Sequence, residues 1–82
     1  MTAKELFESL GYKQIATYYN LIEYIDDNEG SDYVYIIFDL SLKVYEVGYF
    51  DGYKTTVPIT TSIKEHKAIT QQMKELGWIW HN

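Results

Sequence analysis

The chain carries the same punctuation near both ends. Thr2 with Glu5, and Ser62 with Glu65, have the spacing of a capping box, in which each side chain accepts a backbone N–H of the other at a helix start. Leu10-Gly11-Tyr12 and Leu76-Gly77-Trp78 have the pattern of a helix stop. There glycine takes the left-handed conformation and the next residue folds back on the last turn. One helix is therefore expected between Thr2 and Gly11, and another between Ser62 and Gly77. Pro58, which a helix interior rejects, precedes the second. Leu6, Phe7 and Leu10 supply the apolar stripe of the first; Ile63, His66, Ile69, Met73 and Leu76 supply that of the second. Tyr12 then packs back on Phe7, and Trp78 on Met73. The flanking residues do not repeat, so one capping solution is used twice without duplication.

Between the helices the apolar period shortens from 3.6 toward 2. Tyr12 to Tyr19 and Leu21 to Ile25 are β-branched and aromatic, with Asn20 as the turn between two strands. Asp26 to Asp32 is a loop of turn formers and charges. Asp32 to Asp39 is the strongest strand, Leu40-Ser41 a tight connection, and Leu42 to Phe50 the next strand. Asp51-Gly52 is a favoured type I′ pair, which adds Tyr53 to Val57 as a short edge strand. Connections this short cannot make parallel crossovers. The expected fold is α+β, α-β-β-β-β-α: two terminal helices on one face of an antiparallel meander of three to five strands.

With 82 residues the chain holds one domain, 1–82, and a thin core, since about 60–65% of the unfolded surface is buried at this length. It has no cysteine, which suits a reducing cytoplasm. The start reads as a helix rather than a signal sequence, and the longest apolar run, Tyr33 to Phe38, is far short of the ~20 residues that span a bilayer. A soluble cytoplasmic protein without membrane contact is expected. The net charge of −5 is uneven: Leu21 to Gly52 holds Glu23, Asp26, Asp27, Glu29, Asp32, Asp39, Glu46 and Asp51 against Lys43 alone. All seven basic residues are lysine. Without arginine's bidentate fork, direct nucleic-acid binding is disfavoured.

Nine tyrosines are the unusual feature of the composition. Sorted by chemistry, Val34, Ile36, Phe38, Leu42 and Val44 make an aliphatic core face. Tyr33, Tyr35, Tyr45 and Tyr49 make the opposite face. Tyrosine suits a half-exposed sheet through β propensity and cross-strand pairing. It is also enriched where proteins bind one another or a second copy. A single-stranded nucleic-acid platform would need interleaved cations, which Lys43 alone cannot supply. Trp78 and Trp80 share one side if extended; they cover the open end of the core, or Trp80 anchors a partner.

Chemistry is sparse. His66 lies on the Ile69–Met73 side as a packing or boundary residue, and His81 is penultimate, so neither is a placed base. The acidic loop 26–32 fails the calcium-loop register: glycine falls fifth from Asp26, and the twelfth position is Ile37. Phosphate-cradling glycine loops and nucleophile elbows are absent. No enzyme activity, metal, cofactor or small-molecule substrate is expected.

The opening Thr2-Ala3-Lys4-Glu5-Leu6-Phe7 to Leu10-Gly11-Tyr12 and the closing His66-Lys67-Ala68-Ile69 to Met73-Lys74-Glu75-Leu76-Gly77-Trp78 resemble short proteins of unassigned activity encoded by phages and prophages of Gram-positive bacteria. The resemblance covers both helices and brings no catalytic or binding residue. It implies a small cytoplasmic accessory protein that acts through protein contacts. The expected function is thus a non-enzymatic interaction module using Tyr33, Tyr35, Tyr45, Tyr49 and Trp80. The alternative is an acidic inhibitor whose loop around Asp26, Asp27, Glu29 and Asp32 imitates nucleic-acid charge at a host protein site.

Overall fold

A computed structural model describes residues 1–15, 20–26, 32–50, 56–57 and 61–79. In chain order they form α1 (Ala3–Ser9), β1 (Lys13–Gln14), β2 (Leu21–Asp26), β3 (Tyr33–Asp39), β4 (Val44–Phe50), β5 (Thr56–Val57) and α2 (Ile63–Glu75). The strands make one antiparallel meander, β1-β2-β3-β4-β5, with both helices against one face. The α+β architecture is that expected. The long first strand shrinks to Lys13–Gln14, with 16–19 outside the described residues. The pairing of Phe50 with Thr56 leaves five residues between β4 and β5. A two-residue Asp51-Gly52 turn would instead set Phe50 against Tyr53. That turn lies outside the described residues.

Both helices begin and end as their sequences dictate. The Thr2–Glu5 and Ser62–Glu65 boxes are complete in both directions. Gly11 and Gly77 have φ of 96° and 75°, values that L side chains rarely adopt. Tyr12 N–H donates to Phe7 O and Trp78 N–H to Met73 O, the six-to-one bonds of two Schellman endings. The turn between β3 and β4 is longer than expected, Leu40 to Lys43. Asp39 Oδ1 accepts the N–H groups of Ser41 and Leu42, and Lys43 closes the turn with φ of 58°.

The core is small and aromatic. Phe7 and Tyr24 stack with centroids 4.0 Å apart, and Phe38 meets both edge-on. Ala3, Tyr12, Ile36, Ala68 and Ile69 complete the buried cluster, and Trp78 reaches Phe38 from the rim. The apolar stripe of α2 is rotated from the expected one. Ile63 is 71% exposed and His66 is exposed, while Ala68, Ile69 and Gln72 are buried. Counted back from Ile69 in steps of three, His66 and Ile63 drift off the buried side of a helix of 3.6 residues per turn; positions 65, 68, 69, 72 and 76 stay on one side.

Three polar bonds fasten the helices. Tyr24 hydroxyl, at the centre, donates to Gln72 Oε1 over 2.7 Å. At one end Ala3 N–H donates to Glu75 Oε2 over 2.8 Å; at the other, Tyr12 hydroxyl donates to Glu65 Oε2. The helices therefore run antiparallel. Glu75, badly placed for the dipole of its own helix, caps the N-terminus of the other.

Tyr24→Phe strips Gln72 of its buried partner, and it lowers unfolding free energy by about 1–2 kcal/mol in urea titration. Adding Gln72→Leu removes the orphaned amide and recovers much of that loss.

The pH profile follows from the same contacts. Burial pushes the Tyr24 hydroxyl up to about 12, helped by the charges of Glu75 and Glu8. Burial and the bond to Glu65 raise Tyr12 as well. For Glu65, burial acts upward but is outweighed by hydrogen bonds from Tyr12 and Ser62, so its carboxyl lies below the ordinary range. The tyrosine contribution is full below the unfolded value of about 10 and is lost as pH rises through the folded one. The Glu65 contribution is full above about 4.3 and is lost as pH falls through its lower folded value. Urea midpoints measured against pH fall on both limbs, and Tyr24→Phe flattens the alkaline one.

Candidate interaction face

Register decides which side chains share a face. Phe38 pairs with Tyr45, Ile36 with Val47 and Val34 with Tyr49. Directly opposed residues point the same way, so Tyr45 and Tyr49 belong to the helix-covered side with Val34, Ile36 and Phe38. The Tyr45 ring lies 5.9 Å from that of Phe38, and Tyr49 hydroxyl donates to Asp32 Oδ2. The expected four-tyrosine face is thus split. Tyr33 and Tyr35 remain on the open side, Tyr45 and Tyr49 do not, and Trp80 lies outside the described residues. Val44, expected in the core, is 52% exposed on the open side, and Leu42, in the turn, is 72% exposed.

The open face consists of cross-strand rows. Leu21, Asp39 and Val44 form one; Glu23, Ile37 and Glu46 the next; Ile25, Tyr35 and Gly48 the third, extended by Lys13; Tyr33 and Phe50 the last. Tyr35 and Gly48 are the buried members of these rows, and neither belongs to the helix-side cluster. A shallow depression of about 250 Å³ lies at the turn end, over Leu21, Ile37 and Val44.

Tyr35 holds the middle of this face. Its ring lies flat on Gly48, and its hydroxyl donates to Glu46 Oε2 over 2.6 Å. Only a residue without a Cβ lets the ring down so far. On a Gly48→Ala chain the new carbon would lie 2.8 Å from Tyr35 Cε2, with the hydroxyl closer still. Tyr33 packs edge-on to Tyr35 and against Phe50 at 5.1 Å.

Glu23 is the misfit. It stands between Leu21 and Ile25 on its own strand and opposite Ile37. Burial pushes its carboxyl above the ordinary range, and no hydrogen bond answers it among the described residues. Around Ile37 three acids converge, of which Asp39 and Glu46 are engaged by the turn and by Tyr35. They do not form a metal site: no group of three or more acidic, histidine or cysteine side chains among the described residues could hold an ion. His66 has Thr70 Oγ1 at 3.5 Å as its neighbour on α2.

Sequence reasoning missed Leu21, Glu23, Ile25 and Phe50 as members of this face, and Gly48 as the seat of Tyr35. The spacing of the β3–β4 connection held the signal. Any even-length turn sets even positions of β3 opposite odd positions of β4.

No protein-family model, curated protein or solved structure matches the chain. Among the described residues no helix is long and apolar enough to cross a membrane.

Displacing the Tyr35 ring is the direct test of the seat. Gly48→Ala lowers stability by about 1–2 kcal/mol, the ordinary cost of overpacking. In a Tyr35→Ala background the same substitution costs far less, a coupling that a double-mutant cycle in urea reads out.

Proposed function

We propose that this domain is a non-enzymatic protein-interaction module that works through the open face of its sheet. In line with the likeness of its helices, we place it among cytoplasmic accessory proteins of phage or prophage type. The observation that carries the reading is the one-sided helix layer. It leaves Leu21, Ile25, Ile37, Val44 and Phe50 together on the far side, with Val44 half-exposed. Apolar patches rimmed by polar groups mark interaction sites. Tyr33 gives the patch rigid, amphipathic area at low entropic cost, while Tyr35, only 6% exposed, underlies it.

The partner surface that fits is apolar with cations at its margin. Glu23, Asp39 and Glu46 surround Ile37, and Glu23 lacks a countercharge among the described residues. Imitation of nucleic-acid charge is the weaker reading. It rests on the loop acids Asp26, Asp27, Glu29 and Asp32, of which Asp27 and Glu29 lie outside the described residues, and Asp32 is engaged by the Tyr49 hydroxyl.

A photo-crosslinking residue at Val44, used in lysate of the producing organism, gives a discrete protein adduct. The same residue at Glu8, on α1, gives none. Ile37→Lys reduces the Val44 yield several-fold. Equal yields from Val44 and Glu8, or a Val44 yield indifferent to Ile37→Lys, would sink the reading.

A further inference from the structure

We infer that copies of this chain associate head to tail, the open sheet face of one seated on the outer groove between α1 and α2 of the next. This rests on the proposed use of the sheet face and names its occupant. The groove consists of two adjoining hollows of about 260 and 370 Å³ that share Leu6 and Lys67. Leu6 and Leu10 of α1 supply apolar floor. Lys64, Lys67 and Lys74 of α2 supply the rim, and none of the three has an ion-pair partner among the described residues. A chain of net charge −5 thus gathers cations without an ion-pair partner among the described residues along one groove and carries acids on the opposite side of the molecule.

The spacings match. Glu23 and Glu46 flank Ile37, two strand spacings apart, or about 9.5 Å. Lys67 and Lys74 are seven residues apart on α2, a rise of about 10.5 Å. With α2 of one copy laid across the strands of another, both carboxylates meet both ammonium groups. Ile37 then faces the hollow over Leu6, and Glu23 gains a cation that none of the described residues supplies. Other pairings of copies are poorer. Sheet on sheet opposes acid to acid, and groove on groove opposes lysine to lysine. Because the two patches differ, the contact is heterologous and propagates from copy to copy.

Sedimentation and light scattering test this on the intact chain. At low salt the weight-average mass rises above 9.7 kDa with concentration, and about tenfold more salt returns it toward the monomer. Lys67→Glu with Lys74→Glu blocks the groove; Glu23→Lys with Val44→Lys blocks the face. Each variant, its fold checked by circular dichroism, is monomeric alone. Mixed, they form a one-to-one pair that grows no further, since one keeps its face and the other its groove. Val44→Lys alone replaces the second variant if Glu23→Lys does not fold. Association that survives the groove substitutions but not the face substitutions overturns the head-to-tail arrangement and leaves the sheet-face reading standing. A mixture that stays monomeric, or a wild type monomeric at every concentration, overturns it too. The Val44 adduct then decides the sheet-face reading by itself.

Discussion

Everything in this fold leans on Tyr24. Its ring stacks on Phe7 and meets Phe38 edge-on, so one side chain joins α1 to the two central strands. Its hydroxyl reaches Gln72, so the same side chain also fixes α2. A core this thin cannot hold two helices by apolar area alone, and a directed bond sets the rotation of α2 where dispersion would not. Ala68 and Ile69 turn inward as a result, and the lysines of α2 turn out.

That division explains why the two faces of the sheet differ so sharply. The helix side is filled by interlocking aromatic rings. The open side is built from cross-strand rows with acids set among isoleucine and leucine, and Tyr35 pressed onto Gly48 in the middle. Lowering the ring onto glycine keeps the centre of the face low. The exposed relief is then carried by Val44 and Leu42 near the turn.

The legible part of the structure was its punctuation. Both capping boxes and both glycine endings depend on residues within a few positions of each other, and local chemistry determined them completely. The face assignment was not local. Sorting Tyr45 and Tyr49 with Tyr33 and Tyr35 followed side-chain type, whereas the turn length fixes which positions meet. Ile63 and His66 were read into the core because an i, i+3 pattern was extended past the point where it drifts off the buried side. Gln72 gave no signal at all, since a polar residue becomes buried only when a hydroxyl from residue 24 is there to meet it. Glu23 was hidden for the opposite reason: its strand reads as a sheet element whichever way its acid points.

The bond from Ala3 to Glu75 joins residues 72 positions apart, and the Tyr12–Glu65 bond spans 53. A chain emerging from the ribosome can form α1 and begin the meander early, yet neither helix clamp can close until α2 is free of the exit tunnel. Phe7 and Tyr24 must wait with one side uncovered through that interval. The protein therefore completes its core late, and a nascent chain stalled before α2 presents to chaperones the aromatic surface that the finished molecule hides.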